Sequence, residues 1–169
     1  MSFNIRPMLS SDLRTVEAIQ AEAYAGHFLE SAHIIAQRFD SSPTTSWVAE
    51  RDGQVCAYLV AYWSKVGKIS PLNAPFAPIE EMQCLYLHDL ALLKIAQGFG
   101  LARLLINAAT DHASNQSAYA IALLSVQSSK AFWQGLGFSE FAHLEESQQE
   151  NLNTYLTGNN AAFYMLKHL

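Results

Sequence analysis

Three side chains that can exchange protons lie within one short strand-like run of the sequence, CLYLHDLALL (84–93). They are Tyr86, His88 and Asp89. An imidazole changes charge close to neutral pH, so His88 is the natural proton acceptor among them. Side chains alternate along a strand, which predicts that Tyr86 and His88 share one face and that Asp89 points to the other, unless a bulge intervenes. The alternative for His88 is a half-buried strand residue that is hydrogen-bonded to a neighbour.

A glycine-containing turn follows this run. It leads into the helical pattern LARLLINAATDHA (101–113) and consists of Gln97, Gly98, Phe99, Gly100, Leu101 and Ala102. Glycines let the backbone curl and expose successive N–H groups, and a helix N-terminus adds about +0.5 charge, so such a turn attracts a phosphate or pyrophosphate. The alternative is an ordinary turn. The dinucleotide fingerprint G-x-G-x-x-G does not fit, because Arg103 stands where its third glycine belongs, and the chain has no P-loop motif.

The remaining elements must position these two segments. Asp52-Gly53 between two strand-like runs predicts a hairpin, which argues against a purely parallel doubly wound fold. The sequence therefore predicts a mixed α/β sheet in one domain, residues 1–169, with the order β-α-α-β-β-β-α-β-α-β-β. The predicted elements are strand 3–9, helices at about 13–23 and 29–39, strands 46–51, 54–63 and 84–93, helix 101–113, strand 117–126, a short helix at about 128–134, and strands at about 138–143 and 161–169. The polar stretch 145–151 (EESQQEN) is expected to be a solvated loop.

Composition excludes several classes of protein. Half of the 169 residues are hydrophobic and 15% are charged, which is incompatible with a disordered chain, a collagen or a coiled coil. The formal net charge is −5 and no basic stripe is visible, so no nucleic-acid partner is predicted. The longest apolar run, 56–63, is far shorter than the ~20 residues of a transmembrane helix.

The termini and cysteines indicate a cytoplasmic protein. Arg6 and Pro7 precede any apolar run, so the N-terminus does not read as a secretory signal. Cys56 and Cys84 lie in apolar runs without metal-ligand spacing, which is typical of reduced core cysteines. No metal site is predicted.

Four motifs in register give the chain a resemblance to a known family. Gln97, Gly100 and Ala102 match the Q/R-x-x-G-x-G/A motif of the GNAT superfamily, the acetyl-CoA-dependent N-acetyltransferases. The segment 131–138 (AFWQGLGF) is similar to the second hallmark of that superfamily. The opening FNIRPMLSSDL resembles its usual first strand and helix, and YMLK (164–167) resembles its closing strand. The resemblance covers nearly the whole chain.

The resemblance implies a binding mode for acetyl-CoA. In the GNAT fold, acetyl-CoA lies in a V between two parallel strands that splay apart, here 84–93 and 117–126. The backbone amides of 97–102 would then hold its pyrophosphate, and the edge at Leu90 to Leu93 would pair with its pantetheine. The N–H of Leu92 would polarise the thioester carbonyl. Ser128 is predicted as a helix N-cap or a CoA contact, and Trp133 as a wall of the site or a core residue.

The resemblance also suggests which residues act as the general base and the general acid. Residues 87–92 are similar to the strand of arylalkylamine N-acetyltransferases, which carry two histidines there. His88 falls on one of those positions and Tyr86 on the other. His88 is therefore predicted as the general base, with Asp89 as its rival and water as a third alternative. Many relatives protonate the leaving thiolate with a tyrosine where this chain has Trp133, so Tyr86 or water is predicted to replace it.

The molecule that receives the acetyl group is predicted to bind against the turn between the first two helices. Because that turn covers the acceptor pocket in this fold, Tyr24, His27 and Phe28 are predicted to line it. The resemblance thus implies an N-acetyltransferase that moves an acetyl group from acetyl-CoA directly to a primary amine of a small molecule. A homodimer is left open. The alternatives are a non-catalytic acyl-CoA-binding or regulatory module with the same fold and, less compatible with the hairpin, a nucleotide-binding domain.

Overall fold

The computed structural model describes residues 3–24, 26–77, 79 and 83–169. The strands are β1 (Asn4–Pro7), β2 (Ser46–Arg51), β3 (Gln54–Ser64), β4 (Cys84–Leu92), β5 (Ala120–Ser125), β6 (Ser139–Glu140) and β7 (Phe163–His168). The helices are α1 (Leu13–Ala23), α2 (Ala32–Ser41), α3 (Leu101–Asn115), α4 (Lys130–Gly135) and α5 (Glu146–Asn153). The predicted mixed sheet is present, with all of its strands in the predicted order.

The seven strands form one sheet in the order β1-β2-β3-β4-β5-β7-β6. β4 and β5 are parallel, and the other neighbours are antiparallel. The β2–β3 hairpin turns at Asp52 and Gly53, which have φ angles of 53° and 76°. Both angles are positive, as a two-residue hairpin turn requires, so the predicted hairpin is confirmed in detail.

Two hydrophobic cores cover the two faces of the sheet. On one face α3 and α4 pack with residues such as Leu105 and Trp133, and on the other α1, α2 and α5 pack with residues such as Ile19, Ile35 and Leu152. In the described part of the chain, no helix is long and apolar enough to cross a membrane.

Helix α5 corrects the expectation of a solvated loop at 145–151. Leu152 is buried, and two polar side chains of the helix bind the main chain of the segment after β3. Gln148 Oε1 accepts from Ile69 N at 2.7 Å, and Asn151 Nδ2 donates to Ile69 O at 2.8 Å. The polar composition therefore serves tertiary hydrogen bonds rather than solvation alone.

Candidate active site

A β-bulge in β4 sets the directions of the candidate catalytic side chains. Val60 on β3 faces Asp89, whereas Ala61 faces Leu87, so His88 is an extra residue in the ladder. The bulge brings Tyr86, His88 and Asp89 to the same face of the sheet, the face covered by α1 and α2. The prediction that Asp89 points to the opposite face is wrong, because strand alternation is interrupted between the two residues.

A cleft opens where β4 and β5 separate. Their parallel pairing runs from Cys84 beside Ala120 to Leu87 beside Leu123 and then stops, while β4 continues to pair with β3. The cleft has a volume of about 230 Å³. His88, Asp89 and Leu90 line it from β4, Leu123 and Leu124 from β5, and Trp133 from α4.

The main chain of β4 turns hydrogen-bonding groups toward this cleft. Leu93 N donates to Cys56 O on β3 at 2.9 Å. Successive residues of a strand turn their N–H groups to opposite edges, so the N–H groups of Leu92 and Leu90 face away from β3. That edge is not paired with β5, and an extended ligand could add to it as a further strand. The predicted roles of Leu90 and Leu92 in binding pantetheine stay predictions.

The turn before α3 presents a set of free amides. Gly98 and Gly100 have φ angles of 83° and 76°, and a Cβ added at either would meet nothing within 4 Å. Within the described residues, the amides of 98–103 donate to no acceptor, whereas Gln97 N donates to Lys94 O. Leu101 is buried and anchors the turn, while Phe99 packs on Phe3 at 5.4 Å between ring centroids. Open glycines and free donors at the start of a 15-residue helix fit a pyrophosphate.

Asp89 is half-buried, and two tyrosines hold its carboxylate. Tyr24 Oη donates to Asp89 Oδ1 at 2.6 Å, and Tyr58 Oη donates to Oδ2 at 2.5 Å. Burial raises the pKa of Asp89, although His88 and both hydroxyls act against the rise. Tyr24 Oη also lies 2.9 Å from Leu90 O, which shares the single hydroxyl proton with Asp89, so Tyr24 links the end of α1 to the bulge. A carboxyl group with a raised pKa is a better proton acceptor, which keeps Asp89 a rival base.

His88 belongs to a buried cluster that the sequence did not reveal. Its Nε2 lies 3.1 Å from Glu30 Oε2, and Arg38 Nη1 contacts both atoms. Burial alone would raise the pKa of Glu30, but the charge and hydrogen bond of His88, with Arg38 and the Asn73 amide, lower it to about 2. Arg38 donates from Nε and Nη2 to Ala74 O at 2.8 and 2.6 Å. One signal was available: Arg38 lies three residues after Ile35 on the buried face of α2, where a charge needs a partner.

A second cavity of about 50 Å³ lies beside the cleft on the α1–α2 face. It is lined by Tyr24, Phe28, Glu30, Leu72, Tyr86, His88, Asp89, Leu124, Val126 and Tyr155. Tyr86 is 1% exposed and its hydroxyl has no hydrogen-bond partner among the described residues. In that part of the chain, Ser46 Oγ is the only fully enclosed side-chain polar atom without a partner. The Tyr86 hydroxyl therefore keeps only a small exposed area on the cavity, and burial raises its pKa well above the ordinary value.

Two of the three residues that were predicted to line the pocket of the acetyl acceptor do line the second cavity. Tyr24 and Phe28 line the second cavity. His27 does not line it: the side chain is exposed and its Nε2 lies 3.2 Å from Thr154 O. His27 thus links the α1–α2 turn to the segment after α5, and its predicted place on the cavity wall is corrected.

The loop after β5 also departs from the prediction. Gln127 and Ser128 have φ angles of 52° and 60°, and Ser129 rather than Ser128 precedes α4, so the N-cap interpretation of Ser128 is wrong. Ser129 Oγ accepts from Trp133 Nε1 at 3.2 Å and donates to Val126 O at 2.7 Å. Trp133 is buried, packs against Phe138 and forms a wall of the cleft. Across the described residues, no three metal-ligating side chains cluster.

Solved structures share this fold. The loading GNATL domain of CurA from Lyngbya majuscula is 12% identical, with a TM-score of 0.79 over 99% of this chain and 98% of that one. The ribosomal-protein-S18-alanine N-acetyltransferase of Escherichia coli is 16% identical, with a TM-score of 0.70 over 99% and 94%. Naa50 of Arabidopsis thaliana, in complex with the bisubstrate analogue CoA-Ac-MVNAL, is 14% identical, with a TM-score of 0.71 over 100% of both chains. At these identities the likeness establishes the fold.

The family is established by a separate match. No curated protein is similar enough in sequence to count as a relative. The model of the acetyltransferase (GNAT) family, however, matches residues 13–138, which is most of the chain. The resemblance drawn from the four motifs and the prediction of an acyltransferase enzyme are confirmed. The chain belongs to the acetyltransferase (GNAT) family.

Proposed function

We propose that this protein transfers the acetyl group of acetyl-CoA to a primary amine of a small molecule, in one direct step. The observation that carries the proposal is that the cleft and the second cavity meet at His88 and Asp89, which line both. The cleft also contacts the core on the α3–α4 face, whereas the cavity lies on the α1–α2 face. Donor and acceptor can therefore approach the same two residues from opposite faces of the sheet.

The donor is acetyl-CoA. The free amides at 98–103 suit its pyrophosphate, and the unpaired edge at Leu90 and Leu92 suits its pantetheine amides. An N–H of that edge, that of Leu92, would polarise the thioester carbonyl. Structures of the same fold were solved with CoA, among them the NatC complex and an N-acetylglutamate synthase of Neisseria gonorrhoeae. Acetyl-CoA supplies an activated acyl group, and this chain supplies the geometry and the proton transfers.

Each acetyl transfer releases one proton overall. The acceptor arrives as an ammonium, and His88 removes one proton so that the nitrogen lone pair can attack the thioester carbon. The new C–N bond forms as the C–S bond breaks, and the sulfur leaves with the bonding electron pair. The nitrogen then loses its second proton, and the sulfur takes up one proton from Tyr86 or water to become a thiol. The amide product, CoA and one released proton result.

The lining of the second cavity favours an amine with an apolar body. Aromatic rings of Tyr24, Phe28, Tyr86 and Tyr155 surround it, together with aliphatic side chains. Its charged lining residues are Glu30, Asp89 and, when protonated, His88. Arg38 lies behind Glu30 and is already bound to it and to Ala74 O. The cavity thus suits an ammonium, and its described lining residues offer no free cation for a carboxylate, which disfavours amino acids.

Two contacts favour a small molecule over a protein N-terminus, although structures of the same fold include enzymes named for protein substrates. His27 joins the α1–α2 turn to Thr154 O, and α5 binds the main chain at Ile69. These contacts bring together the three segments around the cavity, so the space left for an extended peptide is restricted.

The test is a CoA-thiol release assay with matched acceptors. We expect turnover with 2-phenylethylamine, at least about 100-fold lower kcat/KM with phenylalanine, which adds only a carboxylate, and none with a pentapeptide. Preferential turnover of the peptide would contradict the small-molecule assignment. Binding of acetyl-CoA without turnover of any amine would instead support the alternative, a non-catalytic acyl-CoA-binding module, which the replacement of the usual tyrosine by Trp133 favours.

Three coarser proposals accompany this function. Residues 1–169 form one acetyltransferase domain, since a single sheet extends from Asn4 to His168. A cytoplasmic location is supported by Cys56 and Cys84, which are both buried and free. A homodimer stays a prediction.

A further inference from the structure

Glu30 and Arg38 form a buried charge pair beside His88, and the chemistry proposed above gives neither of them a task. Glu30 is 7% exposed and Arg38 is 2% exposed. Burying such a pair removes both charges from water, and this cost roughly cancels their attraction. A net gain in stability therefore does not explain why the pair lies against a candidate catalytic residue.

The carboxylate of Glu30 is fixed in one orientation. Its Oε1 accepts from Asn73 N at 2.9 Å, and its Oε2 contacts Arg38 and faces His88 Nε2. Its own main-chain N donates to Gln20 Oε1 at 2.7 Å. The oxygen that faces the imidazole consequently has a fixed position, and with a pKa lowered to about 2 it stays ionised at neutral pH.

The two ring nitrogens of His88 have different surroundings. Nε2 lies 3.1 Å from Glu30 Oε2 and also contacts Arg38 Nη1, which can only donate, whereas Nδ1 has no partner in the described part of the chain. Nδ1 is also absent from the fully enclosed polar atoms without a partner, which for those residues are limited to Ser46 Oγ. Nδ1 therefore reaches open space, and His88 lines the second cavity.

We propose that Glu30 is a positioning residue for His88. Its carboxylate competes with the Arg38 guanidinium for Nε2 and holds the proton of the neutral imidazole there, which leaves the lone pair of Nδ1 to take the proton of the acceptor ammonium. The same carboxylate stabilises the imidazolium that results. This inference rests on the proposed function, because it assumes that His88 is the base.

The charges around His88 have opposite effects on its basicity, so substitutions of Glu30 and of Arg38 should have opposite consequences. The charged groups that face it are Glu30 and Arg38, from the α1–α2 side, and Asp89 beside it on β4, while Phe76 offers only its ring edge at 5.3 Å. Glu30 favours the imidazolium and Arg38 opposes it. Removing the carboxylate should make His88 a weaker base, and removing the guanidinium should make it a stronger one.

The first test needs no turnover. The ¹⁵N chemical shifts of the imidazole nitrogens are measured in the parent above neutral pH, with the His88 signals assigned by their loss in His88→Gln. We expect the proton of neutral His88 on Nε2. A proton on Nδ1 overturns the inference, even if acetyl transfer is found, and the result stands even if no acceptor is ever found. The failure of this inference is thus distinguishable from failure of the proposed function.

The second test compares pH profiles of kcat/KM for 2-phenylethylamine. Glu30→Gln should move the ascending limb to lower pH by about 1 unit or more and lower the plateau about 10-fold or more, because the base is weaker. Arg38→Met should move the limb to higher pH. Limbs that stay in place, or that move in the same direction, overturn the inference. Should Glu30→Gln fail to fold, two other measurements test the inference: the pH profile of Arg38→Met, and the position of the His88 ring proton in the parent.

Discussion

His88 and Asp89 are adjacent on the bulge, yet they differ in how many of their polar side-chain atoms are already hydrogen-bonded. Both oxygens of Asp89 already accept from tyrosine hydroxyls, so the residue serves as a fixed acceptor that joins α1 and β3 to β4. His88 keeps one ring nitrogen open to the cavity. This difference favours His88 as the group that takes the proton, although the raised pKa of Asp89 gives it enough basicity to compete.

Replacing His88 tests which of these two residues takes the proton from the amine. His88→Gln keeps a donor for Glu30 but cannot accept the proton, so kcat/KM for the amine should fall by roughly 10²–10⁴-fold. The KM for acetyl-CoA should stay nearly unchanged, because the residues proposed to hold the pyrophosphate lie in another segment. The measurement is steady-state kinetics as a function of pH, in which the ascending limb of the parent should disappear.

Asp89→Asn and Tyr86→Phe are the controls for that experiment. If Asp89→Asn abolishes the ascending limb while His88→Gln retains it, Asp89 is the base. If neither substitution affects the limb, the proton leaves through water. Tyr86→Phe tests the acid, and full activity of that variant assigns protonation of the thiolate to water.

The role of the turn at 97–102 can be tested by comparing one of its glycines with a glycine of the same conformation in another turn. Gly100 and Gly53 both have φ of 76° and nothing within 4 Å of an added Cβ. An alanine at either position should therefore cost the same free energy of unfolding, about 1–2 kcal/mol, since the left-handed conformation is strained for any side chain. Only Gly100→Ala should also weaken acetyl-CoA binding, by about 10-fold or more, because its Cβ occupies the space in front of the free amides.

Calorimetric titration of acetyl-CoA into both variants measures this difference. Equal affinities of Gly100→Ala and Gly53→Ala would mean that the turn is structural and that the pyrophosphate binds elsewhere.

Helix α5 is expected to act on the acceptor through the segment that it holds. Asn151→Ala removes a donor to Ile69 O, which should cost about 1 kcal/mol of stability and loosen the segment that carries Leu72. We expect the KM for the amine to rise about 3–10-fold while the KM for acetyl-CoA does not change. Gln149→Ala on the same helix is the matched control, because Gln149 is exposed and, among the described residues, its side chain bonds only Asn153. An equal effect of both substitutions on the amine would exclude this role of the helix.

The elements that sequence reasoning found are those encoded locally. The Asp52-Gly53 hairpin, the run 84–93 and the turn before α3 each depend on residues that are neighbours in the chain. The bulge at His88 was left open because it depends on the pairing with β3, and the Glu30–His88 contact was missed because it joins residues 58 positions apart. Helix α5 was missed because its polar side chains look like those of a loop until the main chain that they bind is known.

At the scale of the whole molecule, the proposed donor site exists only in the folded chain, since it combines the turn before α3 with the edge of β4. A ligand that binds the folded state alone stabilises it by about 2.7 kcal/mol at one hundred times its Kd. For a chain of this size that gain corresponds to a rise in Tm of roughly 5–11 °C. Thermal melts with and without acetyl-CoA measure it. NAD and ATP are the matched controls: each carries a pyrophosphate, but neither can place a pantetheine along β4. A melt that acetyl-CoA leaves unchanged and that NAD or ATP shifts would contradict the site, whereas equal shifts by all three would show that only the turn binds.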